Sequence, residues 1–310
     1  MRKYSSQGIK EFVSRSLFDK NIILKKDQSY PKISIVTPSY NQAQFLERTI
    51  LSVLNQNYPN LEYIIIDGGS TDESIEIIKK YEKYLTFWVS EKDDGQADAI
   101  NKGFKVATGD FLAWQNSDDI YLPGAFFKVV ERFKKYPDSD IVFGNMYLID
   151  KNDEIIEDVR FFPFNLEHLI YYKWNITSQS TFWKRELLGK EGYLKNYKVL
   201  FDLDWFIRLG LKKRKFSFIR SFFGGYRIHS ESKFSLINAE ERKPILFKLL
   251  KENGIKVNKN MDWSKQYRLK KMKAIFRMFF FYIIQGDIKY IFKKAVRRLK
   301  VKYEYSLKKN

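Results

Sequence analysis

Short apolar segments alternate with amphipathic segments through the first half of the chain, and this alternation constrains the fold more than any other feature of the sequence. Residues 33–36, 63–66 and 111–114 form apolar runs of strand length, and the segments between them carry apolar residues at helical spacing. This order predicts a mostly parallel sheet that is covered by helices on both faces, which is a three-layer α/β architecture.

Polar side chains cluster directly after four of the predicted strands, at residues 37–41, 67–71, 91–95 and 116–119. In open α/β sheets, ligands bind beyond the carboxyl ends of the strands, and parallel strands bring these ends to one edge. We therefore expect the four clusters to form one binding site.

Two adjacent carboxylates, Asp118 and Asp119, follow the fourth predicted strand in the segment Asn116-Ser-Asp-Asp. Like charges side by side repel each other unless a cation compensates them. A hard divalent cation such as Mg²⁺ or Mn²⁺ prefers carboxylate oxygens and can hold a diphosphate at the same time. A turn followed by a helix that starts at Pro123 explains the same residues without a metal, so this segment alone leaves both interpretations open.

Other residues at the strand ends suit the recognition of a nucleotide and a sugar. Asp67 stands at the tip of the second strand, where its carboxylate can accept hydrogen bonds from a base or a ribose, and the glycines after it permit close approach. Asp94 precedes a helix whose face carries Asp98 and Asn101, and Lys102 is long enough to reach a phosphate. Helix capping and a solvated helix face are the alternative explanations.

The second half of the chain offers candidates for acid–base and metal chemistry. Asp202 and Asp204 open a predicted helix, where capping accounts for a carboxylate, whereas a partly desolvated carboxylate facing a hydroxyl would act as a general base. Arg227 and His229 fall on the same side of a late predicted strand. For this pair, contact with an anion or a metal diphosphate and a structural role are both open.

The positive charge of the chain is concentrated at its end. The net charge is +19, and residues 241–310 hold 21 Lys and Arg against 5 Asp and Glu. Apolar residues in this tail recur at helical spacing opposite basic ones, which predicts amphipathic helices suited to an anionic lipid surface, with packing on the rest of the protein as the alternative. A second apolar stripe spans residues 288–299, and the first consists of Phe276, Phe279, Phe280, Ile283 and Ile284.

The signatures of several other classes of protein are absent from the sequence. The chain has no cysteine, which excludes disulfides and Cys-ligated zinc and fits a reducing compartment. It also lacks the Walker A, G-x-G-x-x-G, H-E-x-x-H and G-x-S-x-G patterns. P-loop NTPases, dinucleotide oxidoreductases, zincins and α/β-hydrolases therefore lose their main sequence support.

Taken together, these segments resemble the bacterial inverting glycosyltransferases of family 2, which have the GT-A fold, and in particular those of surface-polysaccharide synthesis. The resemblance covers residues 32–235. Three residues depart from the family pattern, since Asn116 stands in place of an Asp, Phe201 in place of a Glu and Gln96 in place of a Gly. The matching segments are residues 33–41, 51–56, 63–72, 94–103, 116–119, 202–208 and 225–232.

The resemblance implies an N-terminal extension (1–31), a GT-A catalytic domain (32–235) and a basic amphipathic helical tail (236–310). The catalytic domain would combine a three-layer α/β/α nucleotide-binding sheet with an α+β acceptor part. The implied activity is that of a metal-dependent, inverting hexosyltransferase. It would move a sugar from a nucleotide-sugar, with a UDP-sugar favoured, to a polyprenyl-linked or oligosaccharide acceptor. We expect a cytoplasmic location, peripheral on the inner face of the cell membrane.

The family also implies roles for individual residues. Asp118, Asp119 and His229 would bind Mn²⁺ or Mg²⁺, and Asp202 or else Asp204 would be the catalytic base. The residues expected to contact the donor are Thr37, Pro38, Tyr40, Asn41, Asp67, Asp94, Gly95, Asp98, Asn101, Lys102, Asn116, Asp118 and Arg227.

Two other functions compete with this interpretation. A nucleotidyltransferase would also use an α/β sheet, paired acids and a metal, but residues 37–44 lack the glycines and basic residues that are usual in its first loop. A protein that binds nucleic acid would use the basic tail, but the acids at the strand ends would then repel phosphate. Nucleic acid is therefore not expected as a partner.

Overall fold

The computed structural model describes residues 4–232, 239–256 and 265–292. Contacts within the chain divide it into two compact units. The first consists of Met1–Phe164 and Ile176–Val257, and the second of Asn165–Asn175 and Asn258–Asn310. These limits differ from the predicted boundaries after residues 31 and 235.

The described helices and strands of the first unit are, in chain order, α1 (Ser6–Ser14), α2 (Lys20–Lys25), β1 (Ile33–Ser39), α3 (Ala43–Leu54), β2 (Leu61–Asp67), α4 (Ser74–Tyr81), β3 (Phe87–Ser90), α5 (Gln96–Val106), β4 (Phe111–Trp114), β5 (Ile120–Tyr121), α6 (Ala125–Lys135), β6 (Ile141–Ile149), β7 (Ile155–Val159), β8 (Thr181–Lys184), α8 (Glu186–Glu191), α9 (Phe201–Leu211), β9 (Phe216–Arg227) and α10 (Ala239–Glu252). Short 3-10 turns lie at Glu82–Tyr84 and Ser178–Ser180. The second unit contains α7 (Leu166–Tyr171) and α11 (Lys265–Ile284).

The first unit is built on one sheet whose strands lie in the order β3-β2-β1-β4-β8-β6-β9-β5, with β7 paired to β6. The strands β3, β2, β1 and β4 are parallel, as the alternation of strands and helices predicted. Beyond β4 the sheet is mixed, because β8 runs antiparallel to β4 and β6, and β5 runs antiparallel to β9. The carboxyl ends of the four parallel strands share one edge.

Helices cover both faces of the parallel half. Ile35 of β1 packs in one core with Ile50 of α3 and Phe126 of α6. Val36 points to the opposite face, where α5 lies so close that a Cβ at Gly103 would be 2.4 Å from Val36 Cγ1. The predicted three-layer α/β/α arrangement is confirmed.

The N-terminal segment, for which the sequence suggested no structure, belongs to the core of the first unit. Asn55, just after α3, fixes this segment because its Nδ2 donates to Arg15 O (2.8 Å) and its Oδ1 accepts from Leu17 N (2.8 Å). α1 thereby supports the strands that carry the second half of the candidate site. The buried apolar residues of α1, which cluster with residues of β5, β6 and β9, are Ile9, Phe12 and Val13.

A glycine lets β9 pass close to the 3-10 turn at Ser178–Ser180. A Cβ at Gly224 would lie 2.1 Å from the carbonyl oxygen of Gln179, so no larger residue fits without movement of the backbone. Because β9 passes so close to this turn, its end lies beside the loop that follows β4. There Arg227 and His229 contact residues of that loop.

The second unit pairs α7 with α11. Nδ1 of the buried His168 lies 3.3 Å from Ala274 O, and Arg277 forms an ion pair with Glu167 at 3.0 Å. The helix α11 is 20 residues long. Among the described residues, no helix combines the length and hydropathy that crossing a bilayer would require.

Candidate active site

Asp119 is the buried anchor of the loop between β4 and β5. Its Oδ1 accepts a hydrogen bond from Arg227 N (2.8 Å). Its Oδ2 accepts from Gln179 Nε2 (2.8 Å) and Asn116 Nδ2 (3.0 Å). Burial and the neighbouring charge of Asp118 raise the pKa of this carboxyl. Because both oxygens already have donors from the protein, Asp119 holds the loop together, and its expected role as a metal ligand stays a prediction.

Asp118 points the other way and meets His229. The Asp118 side chain is 20% exposed, and its Oδ2 lies 3.0 Å from His229 Nε2. The imidazole packs on the ring of Phe45, with centroids 4.7 Å apart. Two of the residues that were expected to bind metal are therefore brought together at one point.

Arg227 was expected to contact the donor, but the structure buries it completely beneath this loop. Its Nε donates to Asp118 O (2.7 Å), and its terminal nitrogens reach Asp150 O (2.9 Å) and Asp153 Oδ1 (2.7 Å). Its guanidinium also lies over the ring of Phe45, 4.8 Å from the centroid. These contacts make Arg227 a residue that positions the loop.

Asp67 shapes the loop after β2. It is fully buried, and its Oδ2 accepts hydrogen bonds from Ser70 N (2.8 Å), Gly69 N (3.1 Å) and Ser90 Oγ (2.7 Å). Its Oδ1 accepts from Ser70 Oγ (2.5 Å). A base or ribose would have to compete with these partners for the Asp67 carboxylate.

The expected donor residues after β1 differ in their access to a ligand. Thr37 is fully buried with its hydroxyl 3.1 Å from Tyr63 Oη, and Pro38 is buried beside it in β1. Asn41 accepts a hydrogen bond from Thr71 N (2.8 Å) and so joins the loops after β1 and β2. Tyr40 is 60% exposed and Asn41 is exposed as well, so a nucleotide can reach both side chains.

The segment around the start of α5 is largely held by internal contacts. Asp98 accepts from Asp94 N (3.2 Å), and Lys102 pairs with Glu91 (2.8 Å). Asn101 forms two hydrogen bonds with the backbone of Leu194, at 2.8 and 3.0 Å. The turn before α5 depends on Gly95, whose φ of 109° is unfavourable for other residues.

Two of the departures from the family pattern, Gln96 and Asn116, contact each other. Gln96 Nε2 donates to Asn116 Oδ1 (2.7 Å). The amide of Asn116 in turn donates to Asp119. An aspartate at position 116 would have no proton to donate to a charged Asp119, so the amide suits this place.

The structure separates the two candidates for the catalytic base. Asp204 is fully buried, and its oxygens contact Arg208 Nε (2.8 Å), Asn253 Nδ2 (2.8 Å) and Lys195 Nζ (3.5 Å). Asp202 is partly buried, and its side chain accepts a hydrogen bond from Leu203 N (2.8 Å). Burial raises the pKa of Asp202. Asp204 is therefore held by charged side chains, whereas the described hydrogen bonds of Asp202 come from backbone N–H groups.

Tyr226, which had no individual role in the sequence interpretation, lies among the acids of the site. Burial and the charges of Asp119, Asp118 and Asp202 together raise the pKa of its hydroxyl. In the sequence, the alternation along β9 places Tyr226 on the opposite side from Arg227. This pattern therefore did not point to Tyr226 as a residue of the site.

The side chains of the site supply too few donor atoms to bind a divalent ion by themselves, so a bound diphosphate would have to complete the coordination shell. No group of three potential metal-binding side chains occurs in the part of the chain that the structure describes. Asp118 Oδ2 and His229 Nε2 supply two donor atoms, whereas Mn²⁺ and Mg²⁺ take about six. Diphosphate oxygens and water would complete such a shell, as is usual for Mg²⁺ at phosphate sites.

The roles of Asp202 and Asp204 predict opposite effects on stability. Asp204→Asn breaks a buried ion pair and should lower the free energy of unfolding by about 3 kcal/mol. Asp202→Asn should leave stability unchanged or raise it at pH 7, because a raised pKa means that the charged carboxylate costs folding free energy above the ordinary pKa of 3.8. Urea unfolding of both variants measures this, and a loss of several kcal/mol in Asp202→Asn would contradict the assignment.

Comparison with known proteins agrees with this geometry. The family model described as Glycosyl transferase family 2 matches residues 34–201. An uncharacterized glycosyltransferase of Nostoc sp. is 35% identical over 131 residues, which are 41% of this chain and 40% of that protein. A PGL/p-HBAD biosynthesis glycosyltransferase of Mycobacterium bovis is 32% identical over 183 residues, 57% of this chain and 69% of its own length.

Solved structures with the same fold include that of S. aureus TarS 1-349 in complex with UDP-GlcNAc, with a TM-score of 0.54 and 18% identity over 78% of this chain and 79% of that one. The mannosyltransferase PcManGT from Pyrobaculum calidifontis, in complex with GDP-Man and Mn²⁺, gives a TM-score of 0.57 and 14% identity over 87% and 74%. This chain spans 44% of the longer TarS structure.

The family match covers more than half of the sequence and contains the four parallel strands, the Asp118 loop and the start of α9. The chain therefore belongs to glycosyl transferase family 2.

Proposed function

We propose that this chain is an inverting glycosyltransferase that takes its sugar from a UDP-sugar and uses a divalent metal ion at the donor diphosphate. One observation supports the proposal most directly, namely that the Asp118 carboxylate and the His229 imidazole face each other, with Asp118 Oδ2 3.0 Å from His229 Nε2. We infer that this pair would hold the metal ion and that Asp202 would accept the proton. The fold likeness to a TarS structure that contains UDP-GlcNAc supports UDP as the nucleotide.

Asp118 Oδ2 and His229 Nε2 are the atoms that would hold Mn²⁺ or Mg²⁺. When bound, the ion supplies positive charge that neutralises the departing diphosphate. Arg227 fixes the backbone of Asp118, and Asp119 fixes the loop on β9, so that the ligand atoms are held before the donor arrives. Tyr226 keeps its proton because its pKa is raised, and it can therefore donate a hydrogen bond to the donor.

Asp202 would accept the proton of the acceptor hydroxyl. The hydroxyl oxygen forms the new bond to the anomeric carbon while the bond from that carbon to the diphosphate oxygen breaks, and the electron pair leaves with the diphosphate. Attack from the face opposite the leaving group inverts the configuration. Burial raises the pKa of Asp202, which strengthens it as a base.

Replacement of Asp202 should separate chemistry from binding. Asp202→Asn keeps an oxygen for the hydrogen bond from Leu203 N, so we expect unchanged UDP-sugar affinity and a turnover lowered by a factor on the order of 10² or more. UDP release from a panel of UDP-sugars, with Mn²⁺ and a polyprenyl-linked saccharide, measures turnover, and calorimetry measures affinity.

The pH profile provides the matching control. In the wild type, turnover should rise with pH through an apparent pKa above the ordinary 3.8, because the base must lose its proton. That limb should vanish in Asp202→Asn. Wild-type turnover in the variant, or an unaltered acid limb, would remove Asp202 from the mechanism, and failure of every UDP-sugar and GDP-sugar would contradict the proposed donor.

We further propose that α11 brings the protein to an anionic membrane surface at the inner face of the cell membrane, where a polyprenyl-linked acceptor would be found. Its apolar stripe is exposed, with Phe276 69%, Phe280 54% and Ile284 63% accessible. The helix carries six Lys and Arg and no acid, so its charge complements anionic lipid. Of the second predicted stripe, residues beyond 292 lie outside the described part of the chain.

Exposed aromatic residues on a basic helix predict binding to lipid that depends on both features. The variant Phe276→Ser/Phe280→Ser/Ile284→Ser should lose the flotation that the wild type shows with vesicles that contain anionic lipid. Neutral vesicles should bind neither the wild type nor this variant. Leu17→Ser/Leu24→Ser removes apolar residues that are 47% and 55% exposed in the other unit and serves as the matched control. Equal flotation of all three proteins would refute the role of α11.

A further inference from the structure

Helix α3 is buried in the core of the first unit, yet it carries a row of polar side chains. Thr49 and Ser52 are fully buried, and Gln56, directly after the helix, is 4% exposed. The spacing of three and four residues places them on one side of the helix. Buried polar groups cost folding free energy unless they find partners, so their contacts explain why they are there.

All three side chains bond to the backbone of residues 117–125. The Thr49 hydroxyl lies 2.9 Å from Ser117 O and 2.7 Å from Asp119 O, both of which accept its proton. Ser52 Oγ donates to Thr49 O and accepts from Tyr121 N (3.0 Å). These hydrogen bonds therefore fix both the loop that carries Asp118 and the strand β5 after it to helix α3.

Gln56 continues the row to the start of α6. Its Nε2 donates to Leu122 O (2.9 Å) and its Oε1 accepts from Ala125 N (3.0 Å). Its Nε2 also donates to Ser52 O (3.0 Å), so both N–H groups of the amide have acceptors and the amide is held in one orientation.

The loop that carries Asp118 is thus held by hydrogen bonds from two elements, α3 and β9. Thr49 holds the carbonyls of Ser117 and Asp119, whereas Arg227 holds the carbonyl of Asp118 between them. Three consecutive carbonyls with fixed partners leave the backbone little freedom, and the Asp118 side chain faces His229 as a result.

We propose that Thr49, Ser52 and Gln56 are positioning residues that set the place of Asp118 for the metal and the donor diphosphate. This inference rests on the proposed function for its effect on donor binding, but the restraint on the loop is a property of the fold itself. Residues that hydrogen-bond to a metal ligand and hold it in place typically lower metal affinity or activity by about 10- to 100-fold when they are replaced.

Thr49→Val keeps the shape of the side chain and removes the hydroxyl, whereas Thr49→Ser keeps the hydroxyl. Calorimetry of UDP should show that Thr49→Val lowers the affinity measured with Mn²⁺ by about 10-fold or more while the affinity without metal is unchanged. Thr49→Ser should restore the affinity with Mn²⁺. A general loss of structure would move both affinities together and would count against the proposal.

Ser34→Ala is the matched control, because Ser34 is a fully buried hydroxyl near the start of β1 that bonds Glu62 and Gly109 N, away from the carboxyl edge. In hydrogen exchange, Thr49→Val should speed the amides of residues 117–125 at least 10-fold more than Ser34→Ala does.

The exchange measurement needs no ligand, so it separates this inference from the proposed function. Equal exchange of the loop in Thr49→Val and Ser34→Ala would overturn the inference. Faster exchange of the loop with no UDP binding by the wild type would instead sustain the positioning role and contradict the proposed donor.

Discussion

The hydrogen bonds of the Asp119 carboxylate are the interaction on which the rest of the site depends. A carboxylate removed from water must find donors inside the protein, and Asp119 finds them in Arg227 N and Gln179 Nε2 as well as in its own loop. These donors come from β9 and from the turn before β8, so one buried group joins the parallel and mixed halves of the sheet. Only with β9 held there can His229 meet Asp118.

Burial divides the acids of the cleft into two kinds. Asp67, Asp119 and Asp204 are fully buried and their oxygens are occupied by donors from the protein. Asp118 and Asp202 are only partly buried. A carboxylate whose oxygens already accept hydrogen bonds from the protein stabilises a loop, whereas an accessible carboxylate can bind a cation or accept a proton from a hydroxyl. We therefore propose metal binding for Asp118 and proton transfer for Asp202.

The sequence predicted the parallel half well because a strand buried on both faces needs a continuous apolar run, as in β1, β2 and β4. It predicted the mixed half less well, since the direction of β8 is set by packing between distant segments. The same limit applies to Gln179, whose hydrogen bond to Asp119 spans 60 positions, and to α1, whose apolar partners in β5, β6 and β9 lie more than a hundred residues away. Of the partners of Asp204, Arg208 lies one helical turn away and is visible in the sequence, whereas Asn253 lies 49 residues away and is not.

We propose that Asp118 and His229 form the protein side of a metal–diphosphate site. Titration of UDP into the wild type and into Asp118→Ala, with and without Mn²⁺, is the decisive measurement. Mn²⁺ should tighten UDP binding by the wild type, and Asp118→Ala should retain only the weaker binding seen without metal. Tightening by Mn²⁺ that persists in Asp118→Ala would contradict this assignment and would place the metal elsewhere.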